Sequence, residues 1–353
     1  MKKKLLLITT AMAMCLSACS STPTNEPQSS VTNATLKELA TEQASAEVPT
    51  TEVSTTESNL PEYAKVGQMV CGEKWNIALL YAKEYDSIDS DFYSDKPAEG
   101  NKFLALFFDV KNVSKDNDYF NSLYFEGYAD DYSTTSSITL NTPDDFPAIG
   151  GDIDAEKMSK GVIIYEVPAD WNKFEIVYKD GIWTTHKAAS FVVEKADIVT
   201  HDYVFESSVY DEYVLDPSKK SEIGTEIQDD VWSVKLLETG KYDVIGDGIM
   251  ATKPAEGKEF VIFFMEATNT SSADDYFNQL YFRSYVDGYL TNTSLLLSDV
   301  NGYSAMSGDV AAGKMIKGYI ALEVPSDWKS IELIYDDGTF VENKVAEFAI
   351  TNE

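Results

Sequence analysis

Residues 96–112 read KPAEGNKFLALFFDVKN, and residues 253–269 read KPAEGKEFVIFFMEATN. The first five letters are identical, and each stretch continues as an apolar run that ends in an asparagine. An apolar run of this kind, bounded by turn-forming residues, is typical of a strand that is buried on both faces. The chain therefore contains the same buried strand, with the same turn before it, twice.

This strand belongs to a longer repeat. Residues 67–196 align with residues 224–353 at a constant offset of 157 without a gap, and 50 of the 130 aligned positions are identical. Self-similarity over such a length indicates a tandem duplication, which decides the architecture before local propensities do. Each copy is long enough to bury a core of its own, so the sequence predicts two domains of one fold.

Within each copy the apolar residues tend to recur at every second position, as in a half-buried strand. Trp232, Val234 and Leu236, for example, alternate with Ser233 and Lys235. Short strands, turn signals about every ten residues and the lack of an amphipathic helical pattern predict an all-β sandwich in each copy. Pairs that predict tight turns lie at Asp130–Asp131, Asp180–Gly181, Asp287–Gly288 and Asp337–Gly338.

The order of the repeated motifs resembles a known family. A Trp-containing first strand, Lys-Pro-x-x-Gly-x-x-Phe before the apolar strand, and Lys-Met-x-Lys-Gly before Glu-Val-Pro occur in both copies. Together they are similar to the telokin-like extracellular domain called domain of unknown function 4352. The resemblance implies two immunoglobulin-like β-sandwich domains in a lipoprotein of a Gram-positive bacterium, without an assigned activity. The chain departs from the family pattern at Ala155–Glu156 and Ala312–Gly313, where Pro-Gly is usual.

The amino terminus has the pattern of a lipoprotein signal peptide. Lys2–Lys4 supply positive charge, and Leu5–Leu16 form an apolar stretch that is too short to span a bilayer. The next residues complete Leu-Ser-Ala-Cys, which resembles a lipobox. We therefore predict cleavage before Cys19 and a lipid on Cys19 that anchors the protein in the membrane. The alternative is an ordinary secretory signal that is cleaved near Ala18.

The composition changes after Cys19. Residues 20–60 include 16 Ser or Thr among 41 residues and no aromatic residue, and such a segment cannot bury enough apolar surface to fold. The aromatic residues of the segment between the copies favour an ordered connector over a free linker. The predicted organisation is a signal peptide (1–18), a lipidated cysteine with a disordered stalk (19–60), an immunoglobulin-like repeat (61–196), a connector (197–223) and a second immunoglobulin-like repeat (224–353).

Charge and reactive residues narrow the function. With 28 Lys or Arg, 59 Asp or Glu and a net charge of −31, the chain lacks the basic surface that nucleic acid requires, so we predict no nucleic-acid partner. Cys71 is matched by Gln228 in the second copy, and His186 is matched by Asn343. Neither residue belongs to a duplicated site, and we predict an inert thiol, no cofactor and no enzyme activity.

The acidic residues do not form a metal-binding pattern. Asp86, Asp89 and Asp91 approach the alternation of a calcium loop, but Gly246 and Gly248 replace the last two in the second copy. The Asp-x-Asp-x-Asp-Gly pattern of such loops is absent. We therefore predict no specific metal site, although weak cation binding by other acidic loops remains an alternative.

One repeated motif combines aromatic and polar residues in a way that suits ligand binding. Asp-Tyr-Phe-Asn follows a strand and a polar loop, and loops of sandwiches often carry binding residues. Flat aromatic faces beside Asn and Asp suit sugars or peptide segments. The alternative is that the phenylalanines enter the core while the tyrosines cover its rim. The predicted ligand-binding residues are Tyr119, Phe120, Asn121, Tyr276, Phe277 and Asn278.

These observations favour a non-catalytic binding or scaffolding module for a protein or a cell-envelope polymer. The predicted location is the outer face of the cell membrane, where the Cys19 lipid would anchor the chain, and the family resemblance favours a Gram-positive bacterium. The alternative is a solute-binding lipoprotein associated with a transporter. Such receptors usually have two α/β lobes around a cleft, whereas both copies here have strand periodicity.

Overall fold

The computed structural model describes residues 30–32, 63–89, 93–139, 141–143, 146–181, 184–199, 210–248, 251–336 and 344–352. In these residues the fold is all-β, with short 3-10 turns, as the sequence predicts. None of the helical segments described is long and apolar enough to cross a membrane. The predicted signal peptide and Cys19 lie outside the described residues, as does the predicted stalk except for one strand.

Strands make up both repeats and the described part of the stalk. The strands up to the end of the first repeat are β1 (Ser30–Thr32), β2 (Ala64–Lys65), β3 (Gln68–Cys71), β4 (Trp75–Tyr85), β5 (Ile88–Asp89), β6 (Ser94–Asp95), β7 (Asn101–Asn112), β8 (Asp118–Phe120), β9 (Phe125–Ala129), β10 (Tyr132–Thr134), β11 (Gly151–Ile153), β12 (Met158–Pro168), β13 (Lys173–Lys179) and β14 (Lys187–Glu194). Those of the second repeat are β15 (Glu226–Gln228), β16 (Trp232–Tyr242), β17 (Lys258–Asn269), β18 (Asp275–Asn278), β19 (Phe282–Val286), β20 (Tyr289–Thr291), β21 (Ser307–Val310), β22 (Met315–Pro325), β23 (Ser330–Asp336) and β24 (Lys344–Thr351).

Each repeat is a sandwich of two sheets with an apolar core between them. In the first repeat, strands β3-β4-β7-β12 face strands β10-β9-β13-β14-β2; in the second, β15-β16-β17-β22 face β20-β19-β23-β24. A short two-stranded antiparallel sheet, β8–β11 in the first repeat and β18–β21 in the second, lies beside each sandwich. Strand β1 of the predicted stalk pairs with β3.

The apolar strands β7 and β17 are buried on both faces, which confirms the prediction from their composition. Every residue of 103–110 and of 260–265 is buried. On the outer face of β7, Phe107 stacks on Tyr81 at 4.1 Å between ring centroids, and Phe146 of a covering loop meets Phe107 edge-on at 5.1 Å. A second apolar cluster therefore lies outside each sandwich and covers the sheet that the motif strand occupies.

The predicted tight turns are found at two of the four sites. Asp287–Gly288 joins β19 to β20 with φ angles of 49° and 81°, and Asp130–Asp131 joins β9 to β10 with 45° and 71°, as a two-residue hairpin requires. The prediction for Asp180–Gly181 is wrong, because β13 and β14 are separated by residues 180–186, where the His186 ring contacts Asp180 at 3.1 Å. The pair at 337–338 lies outside the described residues.

Two repeated motifs hold each other in place. The Glu166 carboxylate of Glu-Val-Pro accepts hydrogen bonds from the Ala98 amide at 3.0 Å and from Asn101 Nδ2 at 2.6 Å, next to the Lys-Pro-Ala-Glu-Gly turn. In the second repeat Glu323 accepts the equivalent bond from the Ala255 amide at 3.0 Å. These repeated identities therefore serve the fold.

The two repeats are joined through their sheets. Strand β12 of the first repeat pairs in parallel with β20 of the second at Met158 and Tyr289, and the Met158 amide donates to the Gly288 carbonyl at 2.9 Å. This single pairing connects one sheet of each sandwich into a nine-stranded sheet. We call the contact between β12 and the segment of β19, β20 and their turn, together with residues 210–216, the seam.

Candidate functional site

The phenylalanines of the Asp-Tyr-Phe-Asn motif lie in the two cores. Phe120 is fully buried, meets Trp75 edge-on at 5.1 Å and stacks on Tyr178 at 4.7 Å. Phe277 has the same surroundings in the second repeat, where it stacks on Tyr335 at 4.4 Å. This placement corrects the expectation that Phe120 and Phe277 bind a ligand, because rings enclosed in this way have no free face.

The asparagines of the motif shape the loop that follows. Asn121 Oδ1 accepts a hydrogen bond from the Leu123 amide at 2.9 Å, and Asn278 Oδ1 accepts one from the Leu280 amide at 3.0 Å. Each bond caps a short 3-10 turn, which is the usual role of Asn at such a position. In each turn the leucine two residues after the asparagine is exposed to solvent.

The tyrosines of the motif remain on the surface. Tyr119 is 54% exposed and Tyr276 is 50% exposed, and the neighbouring Leu123 and Leu280 are 77% and 64% exposed. We call Tyr119 with Leu123, and Tyr276 with Leu280, the two tyrosine–leucine surfaces. Across each two-stranded sheet the tyrosine is directly opposite an aspartate, Asp152 or Asp309, so that both side chains emerge on one face.

The seam is built around an arginine of the second repeat. Arg283 Nε and Nη2 donate to the two carboxylate oxygens of Asp154 at 3.1 Å each, and Nη1 donates to Asp336 at 2.7 Å. Tyr285 Oη also donates to Asp154 at 2.7 Å. A planar guanidinium that holds a carboxylate through two bonds fixes orientation as well as distance.

A buried ion pair crosses the seam nearby. Lys157 Nζ of the first repeat bonds Glu332 of the second, with both side chains almost fully buried, and it also donates to Tyr213 of the connector. Desolvation lowers the pKa of Lys157, although the Glu332 carboxylate opposes that effect. For Tyr213 the same desolvation raises the pKa well above its usual range, because the charged form of this side chain is the deprotonated one. Each charge of the ion pair has the other as its partner, so a substitution that removed one of them would leave the other buried and unpaired.

Two tyrosines extend the seam over the first repeat. Tyr289 Oη donates to the Asp109 carboxylate at 2.9 Å, and Tyr210 Oη of the connector lies 2.8 Å from the Asn76 carbonyl oxygen. Ser221, at the other end of the connector, donates through its amide to the Ala349 carbonyl at 2.7 Å. The described part of the connector therefore bonds both repeats.

Sequence reasoning missed the seam, although one signal for it was present. Arg283 is matched by Glu126 in the first repeat, and Asp154 is matched by Ala311 in the second. The Arg283–Asp154 pair therefore lies where the copies differ, whereas Lys157 and Glu332 recur as Lys314 and Glu175.

A cleft of about 350 Å³ opens where the two repeats meet. Its lining includes Asp152 from strand β11 of the first repeat and, from the second repeat, three leucines and Arg283 together with polar residues: Leu280, Leu290, Leu295, Ser284, Thr291, Asn292 and Thr293. Leu290 also packs against the core of the first repeat. The lining is therefore mixed, with leucines beside a carboxylate, a guanidinium and neutral polar side chains.

Asp152 is the carboxylate of this cleft without a bonded partner. It forms no hydrogen bond or ion pair with the residues that the structure describes. Desolvation raises the pKa of Asp152; Arg283 acts against this, while the carboxylates of Asp336, Asp154 and Asp118 add to it. The ionised form of Asp152 would therefore be stabilised by a cation placed in the cleft.

Several solved structures are similar to part of this chain. Among curated proteins none matches. Solved structures that are similar include a candidate lipoprotein, YcdA, of Bacillus subtilis (14% identity, 37% of this chain and 39% of that chain, TM-score 0.31), and the YjhA protein of the same species (16%, 37% and 98%, 0.29). An uncharacterised β-sandwich protein of Clostridium difficile is also similar (16%, 40% and 99%, 0.26). The chain thus spans about two fifths of the length of YcdA.

The family match covers both repeats. The profile described as Domain of unknown function (DUF4352) matches residues 79–189 and 221–346, which is more than half of the chain and confirms the resemblance of the repeated motifs. The protein therefore belongs to the DUF4352 family and carries two copies of its domain.

Proposed function

We propose that the protein is a lipid-anchored, extracytoplasmic binding module that holds a protein or a cell-envelope polymer on its two tyrosine–leucine surfaces, without catalysis. One observation carries the proposal: large apolar side chains are exposed at the same place in both repeats. The phenylalanines and asparagines of the motif have structural roles, whereas Tyr119 and Tyr276 remain half exposed. Exposed aromatic and aliphatic side chains that cluster at one place are typical of interaction sites.

The duplication adds to the strength of such a site. Two weak contacts on one rigid body act together, since the second forms at a high effective concentration once the first has formed. The seam supplies the rigidity through Arg283 and Lys157. A repetitive envelope polymer, or a partner that is itself a dimer, would gain most from this arrangement.

The anchor and the charge support the location. The proposed lipid on Cys19 and the Ser/Thr-rich stalk would hold the repeats outside the membrane of a Gram-positive cell. Without residues 1–18, the chain has 25 Lys or Arg against 59 Asp or Glu, a net charge of −34. Such a charge is repelled by anionic lipid head groups and by polyanions, so the partner we expect is a neutral or basic one.

The proposal is tested by capture from isolated cell wall and from membrane-protein fractions. The bait is the mature chain with Cys19→Ser, and the variant carries Tyr119→Ser and Tyr276→Ser. We expect saturable capture by the native surfaces and a loss of at least about tenfold in the variant, the effect of removing an aromatic anchor.

A matched control is Tyr132→Ser, because Tyr132 is 80% exposed and lies outside both surfaces. It should capture as the native chain does, and both variants should keep the native melting temperature. Capture of wall would identify a polymer as the partner, and capture of one protein would identify a scaffold. Equal capture by the native chain and the double variant would contradict the proposal.

A second candidate function, solute capture for a transporter, is favoured by the cleft at the seam. The cleft is at the small end of the usual size for ligand sites. A strain that lacks the protein should then take up the solute more slowly. Unchanged uptake of amines, amino acids and sugars would rule out this candidate.

A further inference from the structure

We propose that the cleft between the repeats binds a small ligand that presents a primary ammonium group to Asp152 and an aliphatic part to the leucine side chains around it. This inference goes beyond the tyrosine–leucine surfaces. It deepens the second candidate function by naming the class of ligand, and it rests on that candidate only in requiring the cleft to be a ligand site.

The charges of the cleft decide the sign of the ligand. Arg283 is the guanidinium in the lining, and its bonds to Asp154 and Asp336 already engage all three of its nitrogens. Lys74 Nζ pairs with Asp118 at 2.7 Å, on the strand that carries Tyr119. Asp152 therefore retains a negative charge that neither cation binds directly, so the cleft favours a cationic ligand over an anionic one.

The walls of the cleft decide the shape of the ligand. Leu280 and Leu295 are 64% and 71% exposed, and Leu290 lies against Gly151, next to Asp152, with its Cδ2 3.1 Å from where a glycine β-carbon would be. Three leucines line the same cleft as this carboxylate, and such a lining fits an amine on a short hydrocarbon chain, because the chain would bury apolar area while its ammonium group satisfied the carboxylate.

The second repeat offers a comparison within the same chain. Asp309 occupies the place of Asp152 and is likewise opposite a tyrosine. It does not line the cleft, because the cleft is made from strand β11 of the first repeat and from residues within 280–295 of the second. A ligand that needed only a tyrosine and an aspartate would bind both places; a ligand of the cleft depends on Asp152 alone.

The test is an NMR titration of the mature chain with Cys19→Ser. The probes are n-hexylamine, n-hexanol and n-hexanoate, which share a hydrocarbon chain and differ in charge. We expect saturable shifts around Asp152 and Leu290 with hexylamine below about 50 mM, about tenfold weaker binding of hexanol, and weaker binding still of hexanoate.

Asp152→Asn should weaken hexylamine binding about tenfold and leave hexanol binding unchanged, whereas Asp309→Asn should bind all three probes as the native chain does. The folded state should survive both changes, which the spectra themselves report. Hexanoate binding as tight as hexylamine binding, an equal loss in the two variants, or no saturable shift with hexylamine would each overturn the inference.

The outcomes separate this inference from the proposed function. If hexylamine fails to bind while wall or protein capture still requires Tyr119 and Tyr276, only the ligand class of the cleft is wrong. If hexylamine binds but the double tyrosine variant captures normally, the cleft is a site and the outer surfaces are not. Hexylamine binding with unchanged solute uptake in the deletion strain would leave the cleft without a role in transport.

Discussion

At the scale of single residues, the tryptophans of the two repeats show how one contact is kept while its partners change. Trp171 and Trp328 are buried and close one end of each sandwich. Trp171 Nε1 donates to Glu84 at 2.7 Å, and Trp328 Nε1 donates to Glu259 at 2.7 Å. The two glutamates come from different strands, β4 and β17, so the same bond has two different acceptors.

The lysines beside these glutamates also occupy different aligned positions in the two repeats. Lys102 is 3.7 Å from Glu84, and Lys241 is 3.6 Å from Glu259. With the offset of 157, Glu84 is matched by Lys241 and Lys102 by Glu259. The acidic and the basic position have therefore been exchanged between the repeats. Both repeats nevertheless retain a carboxylate that accepts the hydrogen bond of the indole.

The direction in which the pKa of Glu84 is shifted predicts how the stability of the protein depends on pH. Desolvation opposes the shift, but hydrogen bonds from Lys195 and Trp171 outweigh it and lower the pKa of Glu84. The stabilisation is present at pH values above the pKa of a glutamate in the unfolded chain, about 4.3. It is lost as the pH falls through the lower pKa that Glu84 has in the folded state. Glu84→Gln should cost about 1–2 kcal/mol at pH 7 and progressively less towards pH 3, as measured by urea unfolding.

The control for this prediction copies the second repeat into the first. Lys195 is matched by Asn352, which accepts a bond from Lys241. The triple variant Glu84→Lys, Lys102→Glu and Lys195→Asn should therefore remain close to native stability at pH 7. A deficit of Glu84→Gln that stayed constant from pH 7 to pH 3 would show that the carboxylate charge is not what stabilises the native state.

At the scale of elements, a loop that runs along strand β12 explains why the glycine of the Lys-Gly pair recurs. Ile149 donates through its amide to the Val162 carbonyl at 3.2 Å, so the loop lies along the edge of β12. A β-carbon on Gly161 would be 2.5 Å from the Ile149 Cα, and one on Gly318 would be 2.6 Å from the Met306 Cα. Both glycines therefore allow a main chain to approach a strand closely.

This contact predicts a large effect of adding one methyl group. Gly161→Ala should destabilise the protein by about 1–3 kcal/mol, because the loop must move off the strand. The matched control is Gly181→Ala, where the nearest atom to the new β-carbon is 3.8 Å away. The measurement is the free energy of unfolding in urea; equal values for the two variants would contradict the role of the close approach.

Strands could be predicted from the sequence more completely than loops. The buried strand β7 is predictable because its own sequence is apolar, and the Asp287–Gly288 turn is predictable because it requires only local geometry. The Asp180–Gly181 pair has the same letters as a tight turn, yet the chain continues to His186 before it re-enters the sheet. Turn residues permit such a turn, but the pairing of the flanking strands decides its length.

At the scale of the whole molecule, the seam makes one body out of two sandwiches. Arg283, the buried Lys157 and the tyrosines of the connector all bond across it. Gly288 has no room for a side chain there, since a β-carbon would be 2.6 Å from Tyr213 and 2.9 Å from Met158. Unfolding of either repeat exposes this contact, so each repeat stabilises the other.

We therefore expect a single calorimetric transition for the native chain and two for Arg283→Glu. Glutamate is what the first repeat has at the equivalent position, where Glu126 pairs with Lys179. A glutamate at position 283 would instead be repelled by Asp154 across the seam and by Asp336 within its own sandwich. The control Glu126→Arg changes a residue outside the seam and should keep the single transition. One unaltered transition in Arg283→Glu would show that the seam does not couple the repeats.

The candidate site was only partly predictable. The exposed Tyr119 and Tyr276 belong to a motif that the repeat makes visible, whereas the sequence left open whether its phenylalanines bind a ligand or enter the core, which the structure decides in favour of the core. The cleft could not be predicted, because Asp152 and Leu290 are brought together by the packing of one repeat on the other. Alignment of the copies identifies the fold that each repeat has, but it does not reveal the contacts and the cleft that form between the repeats.

The joint between the sandwiches also bears on polymerisation. The surfaces that correspond to the two halves of the seam are open at the far ends of the pair, where Met315 is 57% exposed and Tyr132 is 80% exposed. A head-to-tail joint that is open at both ends can propagate from molecule to molecule into a fibre. Here Ala311 and Glu126 stand where the seam has its aspartate and arginine, whereas Lys314 and Glu175 retain the charges of its buried pair. A neighbouring chain therefore lacks the two-bond arginine contact that fixes orientation, which disfavours growth of this joint beyond the two sandwiches of one chain.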